Sequence, residues 1–197
     1  MIVVDVESSG IDPSKSSLLS VGAVDFDTPG RRFYEECRVW DGAHIQDEAL
    51  AVNGFSKIDC FDAKKQTDKE LLEKFLKWVE GVGEWTIAGQ NPSFDRDFLM
   101  TTAHRYHLNW PLAHRTVDLH SVAFFHMVRR GMEPPNTKNR SALNLDMIIK
   151  YVGVDFQRKA HNALEDALLE AEALHRLMYD KALLPEFSSF PVPWMKK

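Results

Sequence analysis

Cysteine is scarce in this 197-residue chain: only Cys37 and Cys60 occur, and neither belongs to a C-x-x-C pair or a mixed Cys/His spacing. That argues against a disulfide framework and against a thiolate zinc centre, and makes a reducing cytoplasm the expected compartment. No apolar run approaches the roughly 20 residues that cross a bilayer, so no membrane role is expected. The first residues run straight into the strand-like I-V-V-D-V, so no leader peptide is expected either. A positive excess is missing too: 24 Lys and Arg stand against 29 Asp and Glu, a formal charge of −5. Chains that coat long nucleic acid carry such an excess, because phosphate neutralisation supplies most non-specific affinity. Any contact with a polyanion here has to rest on a local site. The histidines form no H-E-x-x-H spacing and there is no G-x-S-x-G, which disfavours zinc peptidase and serine hydrolase chemistry.

What is present reads as one globular domain. Residues 2–6 and 17–26 have the small and branched apolar residues of buried strands, and Arg32–Trp40 reads as a third strand after the turn D-T-P-G. The segment Asp41–Lys65 is irregular, with one short helix near Glu48–Val52. Thr67–Glu80 carries Leu71, Leu72, Phe75, Leu76 and Val79 at helical spacing. A strand at Trp85–Gly89, a helix from Pro92 to His107, a strand at Arg115–Leu119 and a helix at Ser121–Arg130 follow. Gly131–Arg140 reads as a polar loop, and helices near Leu145–Val152 and Leu164–Lys181 complete the domain, residues 1–183. Residues 184–197 form a tail with three prolines that suits an ordered strap or a partner contact. Three leading strands and then alternating helices and strands imply an α/β fold, a mixed sheet with helices on both faces.

Three acidic motifs stand out. In D-V-E-S-S-G, residues 5–10, Asp5 and Glu7 are two apart on a strand and share a face. Paired carboxylates at a strand end pack poorly but suit a hard cation such as Mg²⁺. In G-Q-N-P-S-F-D, residues 89–95, Asn91 can cap a helix that starts at Pro92, which places Asp95 in its first turn beyond a strand end. The macrodipole also favours an acid there. In H-N-A-L-E-D, residues 161–166, Asn162 and Glu165 have capping-box spacing, so Asp166 lies in a first turn and His161 just outside it. A histidine beside carboxylates suits a general base, though a surface histidine before an acidic helix looks the same.

Taken in order, Asp-x-Glu, then Asp after N-P-S-F, then His-x4-Asp, the chain closely resembles the DEDDh exonuclease family of the ribonuclease H-like superfamily. The resemblance covers about residues 1–180 and fills all five family positions: Asp5, Glu7, Asp95, His161 and Asp166. The string H-N-A-L-E-D-A-L-L-E-A is nearer the proofreading branch, whereas Ser8-Ser9 stands where threonines are frequent. The family implies a five-stranded sheet and 3′→5′ removal of nucleoside 5′-monophosphates from single-stranded or frayed ends of DNA or RNA. It also implies two divalent cations, Mg²⁺ or Mn²⁺, on Asp5, Glu7, Asp95 and Asp166, with His161 as base. Gly10 and Ile11 would meet the terminal nucleotide. Phe94 and Asn91 are candidates for lining its pocket, and Arg158 for gripping the phosphates upstream, with Lys159, Arg129, Arg130, Lys138 and Arg140 as further basic candidates. Phe94 fits a core position equally well. A non-catalytic binding module on the same fold, a proofreading subunit docked on a polymerase, and a homodimer through the tail are the alternatives in other functional classes.

Overall fold

The computed structural model describes residues 1–156 and 161–195. Five strands form one mixed sheet in the order β3-β2-β1-β4-β5. β1 (Ile2–Ser8), β2 (Leu18–Asp25) and β3 (Arg32–Glu36) are mutually antiparallel. β4 (Ile87–Gly89) and β5 (Thr116–Asp118) continue in parallel beyond β1. This is the ribonuclease H-like arrangement. β1 is central and covered on both sides, which explains its unbroken apolar start. Ile2, Val4 and Val6 point into one core with Leu71, Phe75, Phe98 and Leu99 of helices α3 (Asp68–Val79) and α4 (Pro92–Arg105). Val3 points the other way, into a core with Leu119, Ile148, Leu169 and Leu174 of helices α5 (Leu119–Arg129), α6 (Leu145–Tyr151) and α7 (Ala163–Tyr179). By the two-residue period, Asp5 and Glu7 leave β1 on the α7 side.

Helix starts follow side-chain chemistry. Thr67 and Glu70 make a reciprocal capping box at α3. Asp118 caps α5 by accepting from His120 and Ser121, so that helix starts at Leu119, two residues earlier than the expected Ser121. Two short helices, α1 (Asp47–Asn53) and α2 (Lys57–Cys60), replace the irregular segment, which was expected to hold only one. The third strand is shorter than expected. Cys37 still donates to the Leu19 carbonyl of β2, after which the chain turns away, and Arg38 and Val39 donate to the carbonyls of Gln66 and Cys60. The expected loop at 131–140 contains a small hairpin, β6 (Asn136–Thr137) and β7 (Arg140–Ser141). Its turn residues Lys138 and Asn139 both have positive φ, the type I′ signature that usually attracts Asn-Gly. Helix α4 ends at Arg105, so His107, with φ 55°, is not on it. No helix among the described residues is long and apolar enough to cross a membrane.

The tail folds back on its own chain. Leu184, Phe187 and Val192 are buried, and the Trp194 ring lies 4.4 Å from that of His126.

One glycine sets the spacing between sheet and helix. Gly22 of β2 pairs with Asp5 across the sheet, and a Cβ there would overlap the Ala163 carbonyl carbon and the Leu164 nitrogen. The backbone at the start of α7 therefore rests directly on the sheet, which delivers Asp166 onto Asp5. Gly22→Ala should cost about 3 kcal/mol, the upper range for overpacking a site whose obstacle is backbone. It should also lower activity in the molecules that still fold, as α7 is pushed outward. Urea midpoints and turnover corrected for folded fraction test this, and a variant with an unchanged midpoint would contradict it.

Candidate active site

The carboxyl end of β1 is the floor of the site. Asp5, Glu7, Asp95 and His161 border a single cavity of about 280 Å³. Asp95 reaches it from the first turn of α4, and its Oδ1 accepts the Val6 backbone N–H at 2.9 Å. That bond fixes the α4 terminus on the strand, with Asp95 in the cavity lining. Asn162 caps α7 by accepting from the Glu165 N–H, which places Asp166 one turn in. His161, just outside that helix and 43% exposed, brings Nδ1 to 3.4 Å from Asp166 Oδ2.

Electrostatics fit the same picture. Burial first, and then the charges of Asp95, Glu170, Glu7 and Asp166, push the Asp5 carboxyl well above its ordinary range. Asp95 is raised by burial to about 7, against the opposing pull of the Val6 N–H. So many acids in one place call for positive charge. Ligand atoms of Glu7, His161 and Asp166 all lie within 4.8 Å of one another, close enough to surround one ion. The donors are mostly carboxylate oxygens, the kind a hard divalent cation prefers.

The substrate-side candidates are partly brought together. Gly10, Ile11, Asn91 and Phe94 all line the cavity, and Ile11 is 73% exposed at its rim. Phe94 does two jobs, since its ring also lies 4.9 Å from that of Phe98 against the core. Asn91 does not cap α4 with its side chain as expected. It takes a left-handed conformation, φ 56°, and its backbone N–H donates to Asp118 Oδ1 at 3.1 Å. Arg158 and Lys159 lie outside the described residues. None of Arg129, Arg130, Lys138 and Arg140 borders this cavity; Arg129 and Arg130 face a different groove, beside Trp194.

Sequence reasoning missed Ala49, Val52 and Asn53 of α1 and also Gln90, which complete the wall. Helix α1 is seven residues long and its N-cap, Gln46, makes no side-chain cap, because Oε1 accepts the Ile11 N–H instead. Asn53 is the residue a careful reading could have flagged: a buried amide whose Nδ2 donates to the Ser8 carbonyl at 3.0 Å, tying α1 to the strand end.

The sheet order and the acids at the end of β1 define a nuclease of the ribonuclease H-like class. A family model described as "Exonuclease" matches residues 2–174, and the chain belongs to that family, the DEDDh 3′–5′ exonucleases. Among curated proteins it is 28% identical over 189 residues to Ribonuclease T of Hahella chejuensis, covering 87% of this chain and 79% of that protein. To Ribonuclease T of Escherichia coli K12 it is 26% identical over 193 residues, covering 89% and 84%. Among solved structures, E. coli Exonuclease I in complex with a 5cy-dT13 oligonucleotide superimposes with a TM-score of 0.69 at 17% identity. That match covers 91% of this chain, which spans only 40% of the Exonuclease I chain. The nuclease domain of 3'hExo, a DEDDh family member bound to rAMP, gives a TM-score of 0.67 at 15% identity, with 93% of each chain covered. At these identities the structural likeness speaks for the fold.

Proposed function

We propose that this exonuclease acts in the cytoplasm on single-stranded or frayed 3′ ends of DNA or RNA and releases nucleoside 5′-monophosphates. Asp5, Glu7, Asp95 and Asp166 hold two divalent cations, Mg²⁺ or Mn²⁺, and His161 is the general base. One observation carries the reading: Asp5, Glu7, Asp95 and His161 border the same cavity, with His161 against Asp166. When bound, the cations neutralise phosphate charge and supply Lewis acidity.

The protein's own groups do the rest. The terminal nucleotide enters between Ile11 and Phe94, beside Gly10 and Asn91. Arg158 grips phosphate further upstream. The Nδ1 side of His161 faces the Asp166 carboxylate, which holds the proton on that nitrogen and leaves Nε2 free to take one from the attacking water.

His161→Ala tests the assignment. The rate at saturating Mg²⁺ should fall by about 10²–10⁴, the usual worth of a positioned base. Wild type and variant should also differ in the shape of their pH–rate profiles. Equal rates and identical profiles would make the histidine a bystander. Running matched DNA and RNA oligonucleotides, free or blocked with a 3′ phosphate, in the same assay reads sugar preference and polarity.

A further inference from the structure

A second cavity, of about 270 Å³, adjoins the first and shares Glu7, Asn53 and His161 with it. Its floor is a polar row across three strands. Glu7 of β1 stands opposite Ser20 of β2, and Ser20 stands opposite Glu36 of β3. Directly opposed residues of antiparallel strands project to one side, so the row runs from the catalytic acid to the edge of the sheet. Tyr34 closes its outer end, its hydroxyl donating to Glu36 Oε1 at 2.8 Å. Ser20 is 1% exposed, and its hydroxyl has no hydrogen-bond partner among the described residues. Buried hydroxyls in such a position are satisfied by ordered water when a polar cavity adjoins them.

We propose that this second cavity is the chamber through which the attacking water reaches the scissile phosphate, and that Ser20 is the residue that holds water in it. The inference rests on His161 as the base. In an in-line displacement the nucleophile and the leaving 3′ oxygen lie on opposite sides of phosphorus. The base must touch the nucleophile's proton, so water enters on the side of His161 and the departing strand lies away from it. With the terminal nucleotide in the first cavity, the second still opens onto His161 and Glu7. An O–H bond of water breaks and a P–O bond forms while the bond from phosphorus to the 3′ oxygen breaks. The imidazole takes the proton, and the 3′ oxygen leaves with one from solvent.

Small alcohols test the path, because their attack gives an alkyl ester of the nucleoside 5′-monophosphate in place of the free monophosphate. The ester-to-monophosphate ratio is measured on the full chain with saturating Mg²⁺, one oligonucleotide and a fixed concentration of methanol or ethanol. The ratio is set within each turnover, so a poorly folding variant still reports it. Ser20→Val should lower the ethyl-ester ratio by about tenfold, the discrimination one extra methyl group gives in a close-fitting passage. Ser20→Thr has the same bulk and should lower the ratio similarly, but its hydroxyl should keep kcat above that of Ser20→Val. Ser20→Ala should keep the ratio and lose kcat with KM unchanged. Ratios that do not differ between wild type and Ser20→Val, for both alcohols, would overturn the proposal even if His161→Ala is inactive. So would a wild type that forms no methyl ester together with a Ser20→Ala variant of full kcat.

Discussion

Asp5→Asn should abolish turnover and leave a metal-free protein that is more stable than the wild type. Burial first, and then the acids around it, Asp95, Glu170, Glu7 and Asp166, raise the Asp5 carboxyl. On the proposed assignment Asp5 is a metal ligand, and a cation that polarises the phosphate contributes several kcal/mol, so the rate should drop by about a thousandfold or more. Without metal the same change removes a carboxyl that burial and its acidic neighbours make costly to ionise. A gain of about 1 kcal/mol is expected, part of the roughly 4 kcal/mol that two like charges 4 Å apart cost at an effective dielectric near 20. Chelator should silence the wild type, and Mg²⁺ or Mn²⁺ should restore it. Thermal melts in chelator and turnover in Mg²⁺ give both halves; an active or destabilised variant would remove the basis for the cation site.

The same acids give the metal-free protein an unusual pH dependence. Asp95 binds its proton more tightly in the folded chain, at about 7 against 3.8 for the ordinary group. The folded state therefore holds the extra proton between those values. Its stabilisation is complete below about pH 4 and is lost as pH rises through about 7. In chelator, wild type should lose Tm across that window relative to Asp95→Asn, and divalent cation should close the gap.

Much of this site was legible because its chemistry is local in sequence. Asp5 and Glu7 sit two apart on a strand whose period fixes their common face, and Asn162 and Glu165 mark the helix start that carries Asp166. The wall made by α1 was not legible. A seven-residue helix has too few turns to show a periodic face, and Gln46 spends its side chain on Ile11 in place of a cap. Gly22 reads as one more small strand residue until α7 is seen resting on it. Ser20 gave no signal either, since its place opposite Glu7 depends on a register that Gly, Ser and Ala do not announce. The fold was readable further than its details, since alternating apolar segments specify layers while a strand's end depends on what it pairs with next. β3 ends near Glu36 for that reason: from Arg38 on, the segment at 60–66 takes over its hydrogen bonds.

Arg176→Met should be the most destabilising single change that leaves the catalytic geometry alone. Arg176 and Glu172 are both fully buried on α7, with Nε to Oε1 at 2.6 Å. The guanidinium also donates to the carbonyl oxygens of Val152 at 3.2 Å and Phe187 at 2.9 Å. Glu172 Oε2 accepts the Leu183 and Leu184 N–H groups at 2.9 and 2.8 Å. The pair thus fastens α7 to the end of α6 and to the tail, and it explains why Leu184 and Phe187 are buried. Methionine fills much of the space but leaves the Glu172 charge dry, and breaking a buried pair from one side costs about 3–5 kcal/mol. That is a large share of a domain stability of about 5–15 kcal/mol. Adding Glu172→Gln should recover much of the loss, since the amide oxygen can still accept from Leu183 and Leu184 without a buried charge. Arg176 is ten residues beyond Asp166, about 15 Å along the helix, so kcat per folded molecule should hold while the urea midpoint falls. If the single variant melts like wild type, or the double variant is worse than the single, the pair does not hold the tail.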